Sequence, residues 1–269
     1  MAIDPARRLL SILYRLRFYF AAPSDFVLTG IPRSGTSLLS ALLCEPEDCF
    51  CFNEIHYDPR TLPYFFTRMR RRLTSGRPVP VKLDDAGALT TDTMGGQIQV
   101  QETSFPARKH GLVIGSNVNV PYLDRIDEIL AYGYRVLMLV RDPVYTLASW
   151  NSEKAQVIPE AHVTDGDMNP RWHHFDFDSP DRETRQADIW EYYAQRIWSL
   201  RDRVQIITYE SLTDAQEATM QGIYKYLGVT PPLQTRELKN MNVASRFSGL
   251  DRIGEAVAGR CPTRHHFGY

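Results

Sequence analysis

Phe26-Val27-Leu28-Thr29-Gly30-Ile31-Pro32-Arg33-Ser34-Gly35-Thr36-Ser37-Leu38-Leu39 decides the reading of this chain. Phe26 to Thr29 is a short apolar run with strand character. Gly30 and Gly35 bound a tight turn. From about Gly35, apolar residues recur at helical spacing through Leu38, Leu39, Ala41, Leu42 and Leu43. A glycine-framed turn that feeds a helix start is an anion cradle. The first backbone N–H groups of a helix lack internal partners, and the helix dipole favours negative charge.

The spacing Gly30-xxxx-Gly35-x-Ser37 is that of a P-loop, with one departure. Triphosphate-binding loops need a Lys between the second Gly and the Ser or Thr. Thr36 stands there instead, and the cation sits inside the loop as Arg33. An Arg can fork onto two oxygens of a phosphate or a sulfate. A second stretch adds to this: Arg135-Val136-Leu137-Met138-Leu139-Val140 reads as a buried strand, ends at Arg141-Asp142-Pro143, and leads into a helix that carries Ser149.

Together the two segments resemble the sulfotransferases that use 3′-phosphoadenosine-5′-phosphosulfate (PAPS), nearer the protein-tyrosine and bacterial branch with its Pro-Arg-Ser-Gly-Thr loop. A third segment agrees: Val204 to Leu212, with Tyr209-Glu210-x-Leu212, then a helix ending Tyr226-Leu227-Gly228-Val229. The resemblance runs from about residue 25 to 230. It implies an α/β, P-loop, three-layer fold with a central, mostly parallel sheet flanked by helices. It implies that Arg33, Ser34, Gly35, Thr36 and Ser37 hold the 5′-phosphosulfate, that Arg141 and Ser149 hold the 3′-phosphate, and that Tyr209 stands on the donor side. The product nucleotide would be 3′,5′-ADP, with no metal.

Transfer to a hydroxyl also needs a base. Glu54 follows the strand-like run Cys49-Phe50-Cys51-Phe52-Asn53, at the strand end where ligands gather in open α/β sheets. The resemblance implies the same residue, because the protein-tyrosine branch has its proposed base at this offset from the loop Arg. His56 is the second choice; it shares a face with Glu54 if the strand continues. Two departures stand out. The Lys that many relatives carry ahead of the 3′-phosphate Arg is missing from Gly115-Ser116-Asn117, which leaves Arg33 alone, Lys82 or another residue as the assisting cation. The cytosolic family's Arg-Lys-Gly donor loop is also absent. Asn242-Val243-Ala244-Ser245-Arg246 would take its place, with Ser245 and Arg246 as donor contacts.

Composition bounds the rest. With 269 residues, 43% of them hydrophobic, the chain is expected to form a single domain over 1–269, with irregular insertions near 75–108 and 155–182. A net charge of −1 argues against a general nucleic-acid binder. Cys44, Cys49, Cys51 and Cys261 make no disulfide framework, and Cys49-x-Cys51 has the wrong spacing for a zinc knuckle. His162, His173 and His174 lie in the second insertion without helical ligand spacing, so that segment reads as a lid or acceptor loop rather than a metal site.

No stretch is long and apolar enough to cross a bilayer, and the expected location is cytoplasmic. Leu9 to Pro23, broken by Arg15 and Arg17, reads as an amphipathic helix that packs on the domain, with peripheral membrane contact as the alternative. Thr61 to Leu73 reads as a basic helix with Arg68, Arg70, Arg71 and Arg72. Its charges are expected on a solvated face, or else at a rim that attracts an anionic donor or acceptor. The competing readings are a P-loop kinase or NTPase, which would need Lys at position 36, and a non-catalytic nucleotide-binding protein. The acceptor class has no readable signature.

Overall fold

The computed structural model describes residues 24–84, 87–89, 100–108, 111–152, 181–233 and 236–269. The N-terminal segment before residue 24 and most of the insertion at 155–182, including His162, His173 and His174, lie outside the described residues. Strands β1 (Phe26–Gly30), β2 (Cys49–Asn53), β5 (Val113–Asn117), β6 (Arg135–Val140) and β7 (Gln205–Thr208) form a five-stranded sheet in the order β2-β5-β1-β6-β7. β5 pairs in parallel with both β1 and β2. This is the α/β architecture with a central parallel sheet that the apolar runs predict. No helix of the described residues is long and apolar enough to cross a membrane.

The described residues divide into two compact units. The first takes in the chain up to Thr29, Thr36–Leu137 and Glu217–Glu237. Its sheet strands are buried on both faces, as continuous apolar runs in parallel sheets are. Gly115 on β5 is required by Phe26: a Cβ there would overlap the Phe26 ring. Helix α1 (Thr36–Leu42) is tied to β2 through Ser40, whose hydroxyl donates to the Cys51 carbonyl at 3.3 Å. All four cysteines are free and buried, and burial pushes the Cys44 thiol up to about 12.

Helix α2 (Leu62–Thr74) buries Leu62, Phe65, Phe66, Met69 and Leu73, the i, i+3, i+4, i+7 pattern of an amphipathic helix. Its arginines do not all lie in solvent. Arg70 turns inward, pairs with the buried Asp25 and donates to the Leu112 carbonyl at 3.2 Å. The region 75–108, expected to be irregular, contains a two-stranded antiparallel sheet of β3 (Val79–Lys82) and β4 (Val100–Thr103). Val79 and Val81 are buried while Pro80 and Lys82 are not, so the signal was the short period-two alternation of β3. After β5 come two short helices, α3 (Val120–Asp124) and α4 (Ile126–Ala131), separated at Arg125.

The second unit takes in Gly30–Gly35, Met138–Gln216 and Leu238–Tyr269. It holds α5 (Pro143–Trp150), α6 (Arg182–Ser199), α7 (Tyr209–Asp214) and α9 (Leu250–Arg260); α8 (Gln216–Leu227) belongs, all but its first residue, to the first unit. Ile189, Trp190, Tyr193 and Ile197 form the buried stripe of α6, as their spacing predicts. The C-terminal residues pack although they are rich in polar side chains. Ile253 and Val257 of α9 are buried, Thr263 bonds the buried Glu191 carboxylate, and His266 stacks flat on Trp198 at 4.6 Å. Ile253 and Val257, four apart, are the local signal of that helix.

Candidate functional site

In the second unit the glycine-framed loop is shaped by close approach. Gly30 lies against the Leu139 carbonyl, which a Cβ would overlap, and the Ile31 N–H donates to that same carbonyl at 3.1 Å. Gly35 has φ of 91°, and a Cβ on it would lie 2.8 Å from the Tyr209 ring. Arg33 also takes a left-handed backbone, with φ of 71°. The indole N–H of Trp150 donates to the Pro32 carbonyl at 3.0 Å and fixes the loop's crest.

Arg33, Arg141, Ser149 and Tyr209, all donor-site candidates, meet here. Arg33 Nε donates to Ser149 Oγ at 3.0 Å. Arg141 Nη1 donates to the Arg33 carbonyl at 3.1 Å, and Arg141 Nε donates to Asn242 Oδ1 at 2.8 Å. The Arg141 guanidinium lies 4.6 Å from the Tyr209 ring centre, so Tyr209 supports both Gly35 and Arg141. Burial pulls the Arg141 pKa below its usual value. Two buried donors at this place, Arg141 Nη2 and the Ser34 hydroxyl, have no partner among the described residues. Buried polar groups are normally bonded. These two orphaned donors, one of them on Arg141 itself, together with Arg33 fit a multiply charged anion.

Ser245 and Arg246 form an exposed single turn of 3-10 helix, and the Arg246 guanidinium lies against Met241 Sδ at 2.9 Å. From this segment it is Asn242 that bonds Arg141. Asn242 is held in turn by Glu210, which accepts from Asn242 Nδ2 at 2.6 Å, from the Asp142 N–H at 3.2 Å and from the Tyr269 hydroxyl. Burial, then Glu210, pushes the Tyr269 hydroxyl pKa up. Reading the sequence named the segment 242–246 but chose Ser245 and Arg246 in it rather than Asn242, and it missed Trp150 and Tyr269 as supports.

The first unit holds the other candidates. Thr36 Oγ1 donates to Asn119 Oδ1 at 2.9 Å, and Ser37 Oγ to Asn53 Oδ1 at 3.3 Å. Asn117 Nδ2 also donates to Asn53 Oδ1, at 2.6 Å, and leaves Asn117 Oδ1 and Asn53 Nδ2 buried without partners among the described residues. β2 stops at Asn53. Glu54 takes φ of 51°, while its N–H still reaches the Asn117 carbonyl at 2.8 Å. Its carboxylate pairs with Lys82 Nζ at 2.6 Å, both side chains being mostly buried.

The strand therefore does not continue to His56, and the premise for a shared face is gone. His56 stacks flat on Phe65 at 4.5 Å, bonds Thr61 Oγ1 through Nε2 at 3.0 Å, and offers its carbonyl to the Tyr122 hydroxyl. Arg33 and Glu54 are the two non-glycine residues with positive φ among the described residues. Such backbone states cost about 1–3 kcal/mol each and gather at functional sites.

The profile of the sulfotransferase family matches residues 25–232. No curated protein matches the sequence. Among solved structures, the sulfotransferase from Alicyclobacillus acidocaldarius aligns with a TM-score of 0.47 at 15% identity, over 92% of this chain and 96% of that one. The sulfotransferase STF1 from Mycobacterium tuberculosis gives 0.44 at 12%, over 94% and 81%, and STF9 from Mycobacterium avium gives 0.45 at 13%, over 94% and 80%. With the family profile spanning the loop, the Arg141 segment and the Tyr209 segment, the chain belongs to the sulfotransferase family.

Proposed function

We propose that this sulfotransferase moves a sulfuryl group from PAPS to a hydroxyl or amine of an acceptor. The observation that carries the donor assignment is the orphaned pair, Arg141 Nη2 and Ser34 Oγ, beside the Arg33–Ser149 bond. In this reading Arg141 and Ser149 hold the 3′-phosphate, and Arg33, Ser34, Gly35, Thr36 and Ser37 hold the 5′-phosphosulfate. The donor supplies an activated sulfuryl group.

The protein's share of the work is positioning and stabilisation of spread negative charge, as in phosphoryl transfer. Arg33 is the loop's cation for the charge that develops on the leaving phosphate. Glu54 takes the acceptor's proton, and Lys82 holds that carboxylate in place. His56 stacks on Phe65 and bonds Thr61 Oγ1, which favours Glu54 over it as the base. Thr36 and Ser37, which follow Gly35 in the chain, are held by Asn119 and Asn53.

A ligand that binds only the folded state raises the melting temperature by mass action. Thermal shift should be larger with 3′,5′-ADP than with ATP and Mg²⁺. An equal or reversed order would overturn the donor assignment and favour an NTPase-like site.

A further inference from the structure

We infer that the outer face of α2 and the turn after it form a binding groove for sulfate esters, so that the acceptor is a soluble chain already carrying them; this acceptor assignment rests on the function proposed above. The groove has a volume of about 510 Å³, within the span of ligand sites. Arg68, Arg71, Arg72 and Arg77 line it together with Tyr64 and Thr67. The turn is what brings Arg77 round. Gly76 takes φ of 65°, the Gly76 N–H bonds the Leu73 carbonyl at 3.3 Å, and the Arg77 N–H bonds the Arg72 carbonyl at 2.8 Å. This is a Schellman closure, which folds the chain back over the helix's last turn.

The charge on this face is not internally balanced. Arg70 is spent inward on Asp25, and Arg72 pairs with Glu102 at 2.5 Å. The side chains of Arg68, Arg71 and Arg77 are exposed and have no acidic partner among the described residues. Like charges at i, i+3 on a helix repel. A whole chain with net charge −1 that gathers three unpaired guanidiniums around one concavity has a local anion site, not a generally basic surface. The cations are all Arg, whose planar fork matches a tetrahedral oxyanion in two bonds where Lys gives a point charge. Three separate forks call for several ester groups on one chain. No exposed large apolar side chain lines the groove to enter a lipid surface.

The test is calorimetric titration of the full chain, without donor, against a sulfated dextran oligosaccharide. The comparators are unsulfated dextran, inorganic sulfate, phosphatidylserine vesicles and duplex DNA. Sulfated dextran should bind, and unsulfated dextran should not. Replacing Arg68, Arg71 and Arg77 together by Gln should weaken binding about tenfold or more, since charge-assisted contacts are lost. Single replacements should each take part of that loss. The 3′,5′-ADP thermal shift should be unchanged in the triple variant, which also certifies its fold. Undiminished binding in the variants would overturn the groove. So would inorganic sulfate binding as tightly as the oligosaccharide, or vesicles or DNA binding more tightly than it. Loss of sulfated-dextran binding with an intact 3′,5′-ADP shift in the wild type overturns this inference alone. Absence of the 3′,5′-ADP shift overturns the donor reading and, with it, the assignment of the groove's ligand as acceptor.

Discussion

Arg33 Nε donates to Ser149 Oγ at 3.0 Å while Arg141 Nη1 holds the carbonyl of the same Arg33 at 3.1 Å. The loop's cation is thus gripped at its head and at its backbone by the two residues assigned to the 3′-phosphate. In the proposed function, donor recognition and placement of Arg33 are therefore one network.

That network separates two substitutions. Arg141→Ala removes a charged handle and a loop support, and should weaken 3′,5′-ADP by about 2–3 kcal/mol. Ser149→Ala should cost about 1 kcal/mol. Titration with 5′-AMP, which lacks the 3′-phosphate, should show a much smaller loss in both. Equal losses for the two nucleotides would make Arg141 a structural residue only.

Glu54→Gln keeps size and hydrogen bonding but cannot take a proton. It should lower kcat by about 10²–10⁴, the range for a general base. Affinity for 3′,5′-ADP should hold within a few-fold. His56→Gln should lower the melting temperature through its lost stacking on Phe65 and leave kcat nearly unchanged. The reverse pattern of rates would hand the base role to His56.

The two framing glycines should fail for different reasons. Gly35→Ala must take φ of 91° with its Cβ 2.8 Å from the Tyr209 ring, and should destabilise by about 1 kcal/mol or more. Gly30→Ala meets the Leu139 backbone carbonyl, which cannot swing aside as a side chain can. Urea unfolding should rank Gly30→Ala as the worse of the two. The opposite order would mean that β6 yields more readily than the Tyr209 ring.

Asp25 gives a pH signature. Burial raises its carboxyl pKa above 3.8, although Arg70 and the Ile114 N–H oppose this. The folded chain then keeps a proton that the unfolded chain has lost. From about pH 3.8 upward through the folded value, stability contributed at this site falls as pH rises. Asp25→Asn removes that slope. Urea midpoints of wild type and variant across this window should show the wild type losing ground to the variant as pH rises. A gap that grows in the wild type's favour would mean that Arg70 outweighs burial.

Much of this was legible in the chain itself. A continuous apolar run that ends at Gly30 specifies a buried strand, and Gly30 and Gly35 specify the turn after it, because backbone room at those glycines is a local demand. Spacing also marked the α6 stripe, since a helical period is a property of consecutive residues. Other features had no local signal. β3 is four residues long, too short for its alternation to stand out beside Gly, Pro and Thr. Asn242 stands one hundred and one residues from the Arg141 it holds.

The sequence by itself determined the strand-turn-helix of the loop, the family, and the chemical character of Arg33, Arg141, Ser149 and Glu54. Tertiary structure decided what each of them touches. Arg70 and Arg71 are neighbours with the same side chain, yet one is turned inward to Asp25 and the other lines an open groove. The left-handed turn at Glu54 sent its carboxylate to Lys82 and His56 to Phe65. The physical reason is the same in both cases. Periodicity places a residue on an element, but its partner is supplied by another element, and long-range packing alone sets which one arrives.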